Sequence, residues 1–223
     1  MPQLTAPARP GIYARGTETV DAILKAALDV LIDEGATCFT IRRIAARCDM
    51  KVGNVSYHFP RKEMLIQVLL DDLVDNYNQQ LDQMVRKPGL SAEERLKLVI
   101  IFVLDDIGSK RTTHLFTELW ALANHDPIIA DRVRSFYERA HRLIGEYVAA
   151  INPALSDEDV QAVALFISAT MEGSTPFLGH GKPWADRMPV YTALAVRSLV
   201  SLASTVTSRD IATLTGPPIT EFA

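Results

Sequence analysis

Lys51, Asn54, Ser56, Tyr57 and His58 crowd into one segment, CDMKVGNVSYHFPRKEML at residues 48–65. These side chains suit four uses: a catalytic cluster, a metal site, a packing cluster, or a surface that touches something long and charged. A metal site needs further ligands at fixed spacing. No other His or Cys stands at such a spacing, and His114-x-x-x-Glu118 alone is a pairing common by chance. Catalysis is equally short of parts: the chain has no glycine-rich phosphate loop, no nucleophile elbow and no paired carboxylates. The expectation is a protein that is not an enzyme and needs no metal or cofactor.

The elements around this segment are helical. Residues 1–16 carry three prolines with Arg9 and Arg15 and no periodicity, and read as a flexible arm. Thr17 can cap a first helix, whose apolar positions Val20, Ile23, Leu24, Ala27, Leu28 and Leu31 recur at helical spacing until Gly35. Short helices fit Thr40–Arg47 and Lys51–His58. Pro60 opens a long one toward Arg86, stopped by Lys87-Pro88-Gly89. Ser91-x-x-Glu94 is a capping box for a helix to Gly108. Further helices fit Arg111–Asn124, Asp126-Pro127 to Ile151, Ser156 to Phe177, and Ala185–Thr207, before an irregular GPPITEF tail. No stretch alternates with period two and no repeat is visible, so the fold class is all-α with about nine helices.

Thr40–His58 has the form helix, tight turn, helix. Such a turn needs a residue that tolerates left-handed geometry, and Asp49 can serve. In a helix-turn-helix the second helix enters the DNA major groove while the first crosses the backbone. Lys51, Val52, Gly53, Asn54 and Tyr57 then point outward, and Val55 and Phe59 inward. Gly53 leaves the helix face bare for close approach, and Asn54 can read an adenine edge with two hydrogen bonds. Thr40, Tyr57 and His58 can donate to phosphates, and Lys62 adds charge at a helix start that already favours anions.

The run TIRRIAARCDMKVGNVSYHFPRKEML resembles the DNA-binding signature of the TetR (tetracycline repressor) family, over about residues 17–66. The turn reads Cys-Asp-Met where the family usually has Ala-Gly-Val, and Ser56 replaces a common tyrosine. By position, the resemblance makes Arg42 a backbone contact. It makes Val52, Gly53 and Asn54 base-facing, and Ser56, Tyr57, His58 and Lys62 contacts to phosphates or neighbouring bases. It also implies a homodimer on a palindromic double-stranded operator, with recognition helices about 34 Å apart, released by a small-molecule effector. FTELWALANHDPIIADRVRSFYERAHRLI resembles the regulatory domains of the choline-responsive repressor subgroup. The implied organisation is a helix-turn-helix domain at 17–66 and a ligand-binding and dimerisation domain at 67–223.

The C-terminal region offers candidates for an effector pocket on helical stripes: Phe102, Phe116, Trp120, Asn124, Thr170, Met171, Glu172 and Phe177. Glu172 lies among small and apolar residues, and a carboxylate buried there requires a partner. A pocket facing Glu172 or Glu118 would favour a cationic or hydrogen-bond-donating ligand. Ala162, Leu165, Phe166, Ala169, Leu194, Val196, Leu199 and Leu202 suit a dimer bundle, with some serving the subunit core.

The totals are compatible with this. The chain is 48% apolar with net charge −4, a globular composition without an overall basic field. Through residue 66, nine Lys/Arg face seven Asp/Glu; the remainder has fourteen against twenty, so positive charge concentrates where DNA would lie. Cys38 and Cys48 read as buried free thiols in a reducing compartment. The N-terminus lacks a signal-peptide core. The longest apolar run, Leu98 to Leu104, falls short of the roughly 18 residues of a membrane span, so a soluble, cytoplasmic protein without a membrane partner is expected. The competing reading is an all-α small-molecule-binding or interaction protein without DNA binding; the retained Lys51, Asn54, Tyr57, His58 and Lys62 weigh against it.

Overall fold

The computed structural model describes residues 14–85 and 89–214, and among these every regular element is helical. The helices are α1 (Ala14–Glu34), α2 (Ile41–Arg47), α3 (Val52–His58), α4 (Lys62–Val85), α5 (Ala92–Ile107) and α6 (Lys110–Ala123). They continue with α7 (Pro127–Ile151), α8 (Asp157–Glu172), α9 (Thr175–Leu178), α10 (Met188–Thr205) and α11 (Ser208–Leu214), with 3-10 turns at Ala36–Cys38 and Ala185–Arg187. The all-α class holds, and the expected count rises by the two short helices α9 and α11. No described helix is long and apolar enough to cross a membrane.

Local signals account for most helix starts. Ser91 accepts from the Glu94 N–H while the Glu94 carboxylate accepts from the Ser91 N–H, the full capping box. Asp126 accepts from the Ile128 and Ile129 N–H groups at the head of α7. Two boundaries differ from expectation. The helix from Ser156 ends at Glu172 rather than Phe177, because Pro176 has no N–H to donate to the Glu172 carbonyl. α10 starts only at Met188, after the 3-10 turn. α1 begins at Ala14, inside the expected arm; residues 1–13 and the GPPITEF tail lie outside the described residues.

The described residues fall into two compact units, drawn from Met1–Asp82 with Ser109–Phe136 and from Gln83–Gly108 with Tyr137–Ala223. In the first, α1 packs on α2 and α6, and α2 on α3. Its core includes Ile23, Ala27, Leu31, Phe39, Ile44, Val55, Phe59 and Leu65, all buried. In the second, α5 packs along α10, and α8 contacts both, around Leu96, Ile100, Leu104, Ile167 and Leu199. The thiols depart from expectation. Cys38 is exposed, because its 3-10 turn buries none of its residues, and Cys48 is half-buried, its Sγ donating to the Ile44 carbonyl at 3.2 Å.

Candidate nucleic-acid interface and effector site

Thr40 caps α2, its Oγ1 accepting from the Arg43 N–H at 3.1 Å. The turn that follows passes through Asp49 at φ 52°, the one non-glycine residue with positive φ among those described. A short polar side chain tolerates this left-handed backbone where bulkier ones do not. The Met50 N–H donates to the Ala45 carbonyl at 2.9 Å and closes the turn. α3 is thereby launched with Val55 and Phe59 in the core.

The opposite face of α3 is open. Lys51, Val52, Gly53, Asn54 and Tyr57 are exposed, Tyr57 at 81%, and Lys62 is exposed at the first residue of α4. Ser56 and His58 are half-buried on the flank, and the His58 ring stands edge-on to Tyr57 with centroids 5.1 Å apart. These residues share one surface. Gly53 is the informative one: a Cβ built on it meets nothing within 4 Å. Glycine in a helix interior costs roughly 1 kcal/mol relative to alanine. Among the described residues nothing packs against this position.

The three arginines of α2 separate. Arg43 Nε donates to Glu34 Oε2 at 2.6 Å, and Arg47 Nη2 to Asp33 Oδ2 at 2.7 Å. The Arg43 guanidinium holds the Glu34 carboxyl below its usual range, mainly through that hydrogen bond. Both arginines are thus committed to α1. Arg42 is exposed and makes no ion pair among the described residues, which leaves its charge for a partner.

The effector candidates divide between the units. In the first, Phe116 is buried among Tyr77, Trp120 and Phe136, with ring centroids 5.2–6.3 Å from it. Asn124 is exposed as the C-cap of α6. Glu118 takes an 82-residue reach to accept from the Ala36 N–H at 2.8 Å. One of its carboxylate oxygens thus serves the turn after α1.

In the second unit Met171 is buried and Phe102 half-buried. Thr170 Oγ1 donates to its own helix's Phe166 carbonyl, and its lone pairs remain as acceptors. Phe177 is 53% exposed, stacked on Trp184 at 6.2 Å, because the α8 stripe stops before it. Glu172 has the most perturbed surroundings of these candidates. Burial pushes its carboxyl up to about 7; the Tyr137 hydroxyl, donating at 3.3 Å, opposes this, and the charge of Asp106 adds to it. His141 Nδ1, one turn beyond Tyr137 on α7, is enclosed with no hydrogen-bond partner among the described residues. Tyr137, Asp106 and His141 escaped the sequence reading; the i, i+4 spacing of Tyr137 and His141 was the available signal.

The second unit also exposes two apolar stripes. Ala162, Leu165, Phe166 and Ala169 lie outward on α8, and Val190, Ala193 and Leu194 on α10, with Leu165 at 61% and Leu194 at 59% exposure. Leu199 is buried and serves the subunit's own packing, while Val196 and Leu202 are half-buried.

Comparison with known proteins follows the same geography. A family model described as "Bacterial regulatory proteins, tetR family" matches residues 23–69, and one described as "BetI-type transcriptional repressor, C-terminal" matches residues 92–189. The chain is 28% identical over 151 residues to an HTH-type transcriptional regulator in the dhlA 5' region of Xanthobacter autotrophicus, covering 65% of this chain and 71% of that one. It is 24% identical over 153 residues to the HTH-type transcriptional regulator BetI of Escherichia coli, covering 68% and 77%. A crystal structure of a transcriptional regulator from Saccharomonospora viridis in complex with choline superposes with TM-score 0.71 at 21% identity, covering 82% of this chain and 97% of that one. One from Rhodococcus superposes at TM-score 0.69 and 19% identity, covering 84% and 98%. The tetR match spans α2, the Asp49 turn and the open face of α3, and the chain belongs to the TetR family of transcriptional regulators, not to a family of enzymes.

Proposed function

We propose that this regulator is a cytoplasmic homodimeric repressor that reads a palindromic operator and releases it when a small cationic effector binds. The carrying observation is the open face of α3: Gly53 has no internal reason to be glycine, and it sits between exposed Lys51, Val52, Asn54 and Tyr57. Val52, Gly53 and Asn54 face the bases. Thr40, Arg42, Lys51, Ser56, Tyr57, His58 and Lys62 hold phosphates or flanking bases and set the register. The exposed stripes of α8 and α10 form the dimer face. The effector reading is supported by Glu172, to which a cation offers the partner that Asp106 denies it. The Saccharomonospora viridis structure holds choline, an organic cation of this charge class.

Selection from a random duplex pool followed by gel retardation tests this. We expect enrichment of a palindrome, bound with an affinity that falls steeply as salt rises. Enrichment of no sequence at low salt refutes the reading. On the selected duplex, Asn54→Ala relaxes preference at one base position by about 1–3 kcal/mol. Lys62→Ala weakens binding to all sequences and lowers the salt slope by about 1. Identical behaviour of the two variants contradicts the assigned roles.

Gly53→Ala separates folding from reading. The methyl enters open space inside a helix, so the fold gains roughly 0.5–1 kcal/mol and the thermal midpoint rises by about 1–4 °C. Operator affinity moves the other way, because the methyl occupies the face that approaches DNA. A variant that is more stable and binds DNA as well as the parent removes the argument built on this glycine.

A further inference from the structure

Lys110, His114 and Glu118 stand four residues apart on α6, one beneath the other on a single face. All three engage the end of α1 and the turn after it. Lys110 Nζ donates to Asp33 Oδ1 at 2.8 Å. His114 Nδ1 lies 2.8 Å from the Ile32 carbonyl and must be the donor, since a carbonyl only accepts. Glu118 Oε2 accepts from the Ala36 N–H at 2.8 Å. Between these rungs Gly35 turns through φ +81°, and a Cβ there would come within 3.2 Å of Glu118 Oε1. The other oxygen of Asp33 accepts from Arg47 Nη2 at 2.7 Å, which carries the ladder into α2.

A cavity of about 740 Å³ lies among α1, α4 and α6, lined by Leu24, Leu28, Ile66, Leu70 and Leu115 among others. Close packing fixes a helix because displaced side chains collide; beside a cavity that constraint is weak. At the C-terminal end of α1, where Val30 and Leu31 are buried, the polar rungs add directional fixing to the apolar packing. Their weights differ. The Lys110–Asp33 pair is solvent-exposed, where such pairs contribute little. His114 and Glu118 are half-buried and satisfy a carbonyl and an N–H that a helix end leaves without intrahelical partners.

We propose that Lys110, His114 and Glu118 are positioning residues for DNA recognition. They hold α1, and through Asp33 and Arg47 also α2, at the angle that presents α3 to the duplex. The proposal rests on the DNA-binding reading above. α6 lies within residues 92–189, the stretch matched by the BetI-type C-terminal model. The ladder thus joins regulatory sequence to reading sequence inside one compact unit.

The test uses the full-length protein, the palindrome enriched by the wild type, and two duplexes whose half-sites are moved one base pair together or apart. The readout is the ratio of affinities for parent and shifted spacing, which a smaller folded fraction leaves unchanged. Glu118→Ala leaves the Ala36 N–H without its acceptor. We expect about tenfold weaker binding at the parent spacing and little change at the shifted ones, so the ratio collapses. Glu118→Gln keeps an acceptor oxygen and returns the ratio to within about twofold of wild type. His114→Ala, which removes a rung without touching the turn, moves the ratio in the same direction. A wild-type ratio in both alanine variants overturns the ladder, whatever happens to overall affinity or thermal midpoint. A wild type that enriches no palindrome fails at the earlier step and takes the ladder with it.

Discussion

Leu194→Asp is expected to produce a folded monomer that no longer retards operator DNA. Leu194 is 59% exposed on α10, beside Val190 and Ala193, and α8 offers Ala162, Leu165, Phe166 and Ala169 in the same manner. Contiguous exposed apolar stripes of this kind mark an interaction surface. In a two-fold dimer the patch meets its own copy, so one substitution places two aspartates in one interface. Each carboxylate would have to be desolvated without a partner. The subunit itself has no reason to unfold, because the substituted side chain already faces solvent. DNA binding suffers through geometry. Two half-sites bound by one linked pair gain on the order of 10²–10⁴ in affinity over independent binding, and a monomer forfeits that gain. Sedimentation equilibrium and gel retardation on the same preparation check both halves. A variant that remains dimeric places the interface elsewhere.

Glu172→Gln is expected to abolish a pH dependence of stability. Burial raises the Glu172 carboxyl from the ordinary 4.5 to about 7. Between these values the folded protein keeps a proton that the unfolded chain has released, so stability falls as the pH rises through that window. A shift of this size corresponds to about 2–3 kcal/mol at pH 8, after allowance for the partial exposure of Glu172. Glutamine keeps an acceptor for the Tyr137 hydroxyl and carries no charge to desolvate. The variant should therefore melt about 4–10 °C higher than the wild type at pH 8 and alongside it near pH 4.5. The effector dependence has the opposite sign. A cationic ligand pairs with the ionised carboxylate, so its affinity rises with pH up to about 7 and then levels off; Glu172→Gln flattens that profile. Parallel melting curves at pH 5 and pH 8 for both proteins would count against the buried carboxylate.

Much of this protein is written in short-range signals. Ser91 with Glu94, Asp126 with Pro127, and Thr40 each announce a helix start, because a cap bonds within three residues of itself. The reading surface belongs to the same class. Asp49, Gly53, Val55 and Phe59 lie within eleven residues, and a turn followed by one short helix settles which of them point outward. α-Helical periodicity likewise fixed the fold class without reference to any long-range contact.

What depended on tertiary structure is of another kind. Apolar periodicity says that a stripe will be covered but not by what. Leu199 and Leu194 look alike on α10, yet one is buried in its own subunit and the other open to solvent. Cys38 reads as a small apolar residue, but its turn leaves it exposed. The acidic residues show the limit most clearly. Glu118 and Glu172 are equivalent as letters in an apolar background. The first reaches Ala36 across 82 positions, and the second receives Tyr137 across 35. By itself the sequence determined a helical chain with a DNA-reading segment at residues 40–62. Only the packed structure decided which carboxylate bonds the turn after α1 and which is held up by burial, because the charge of a buried group is set by neighbours that the chain brings from far away.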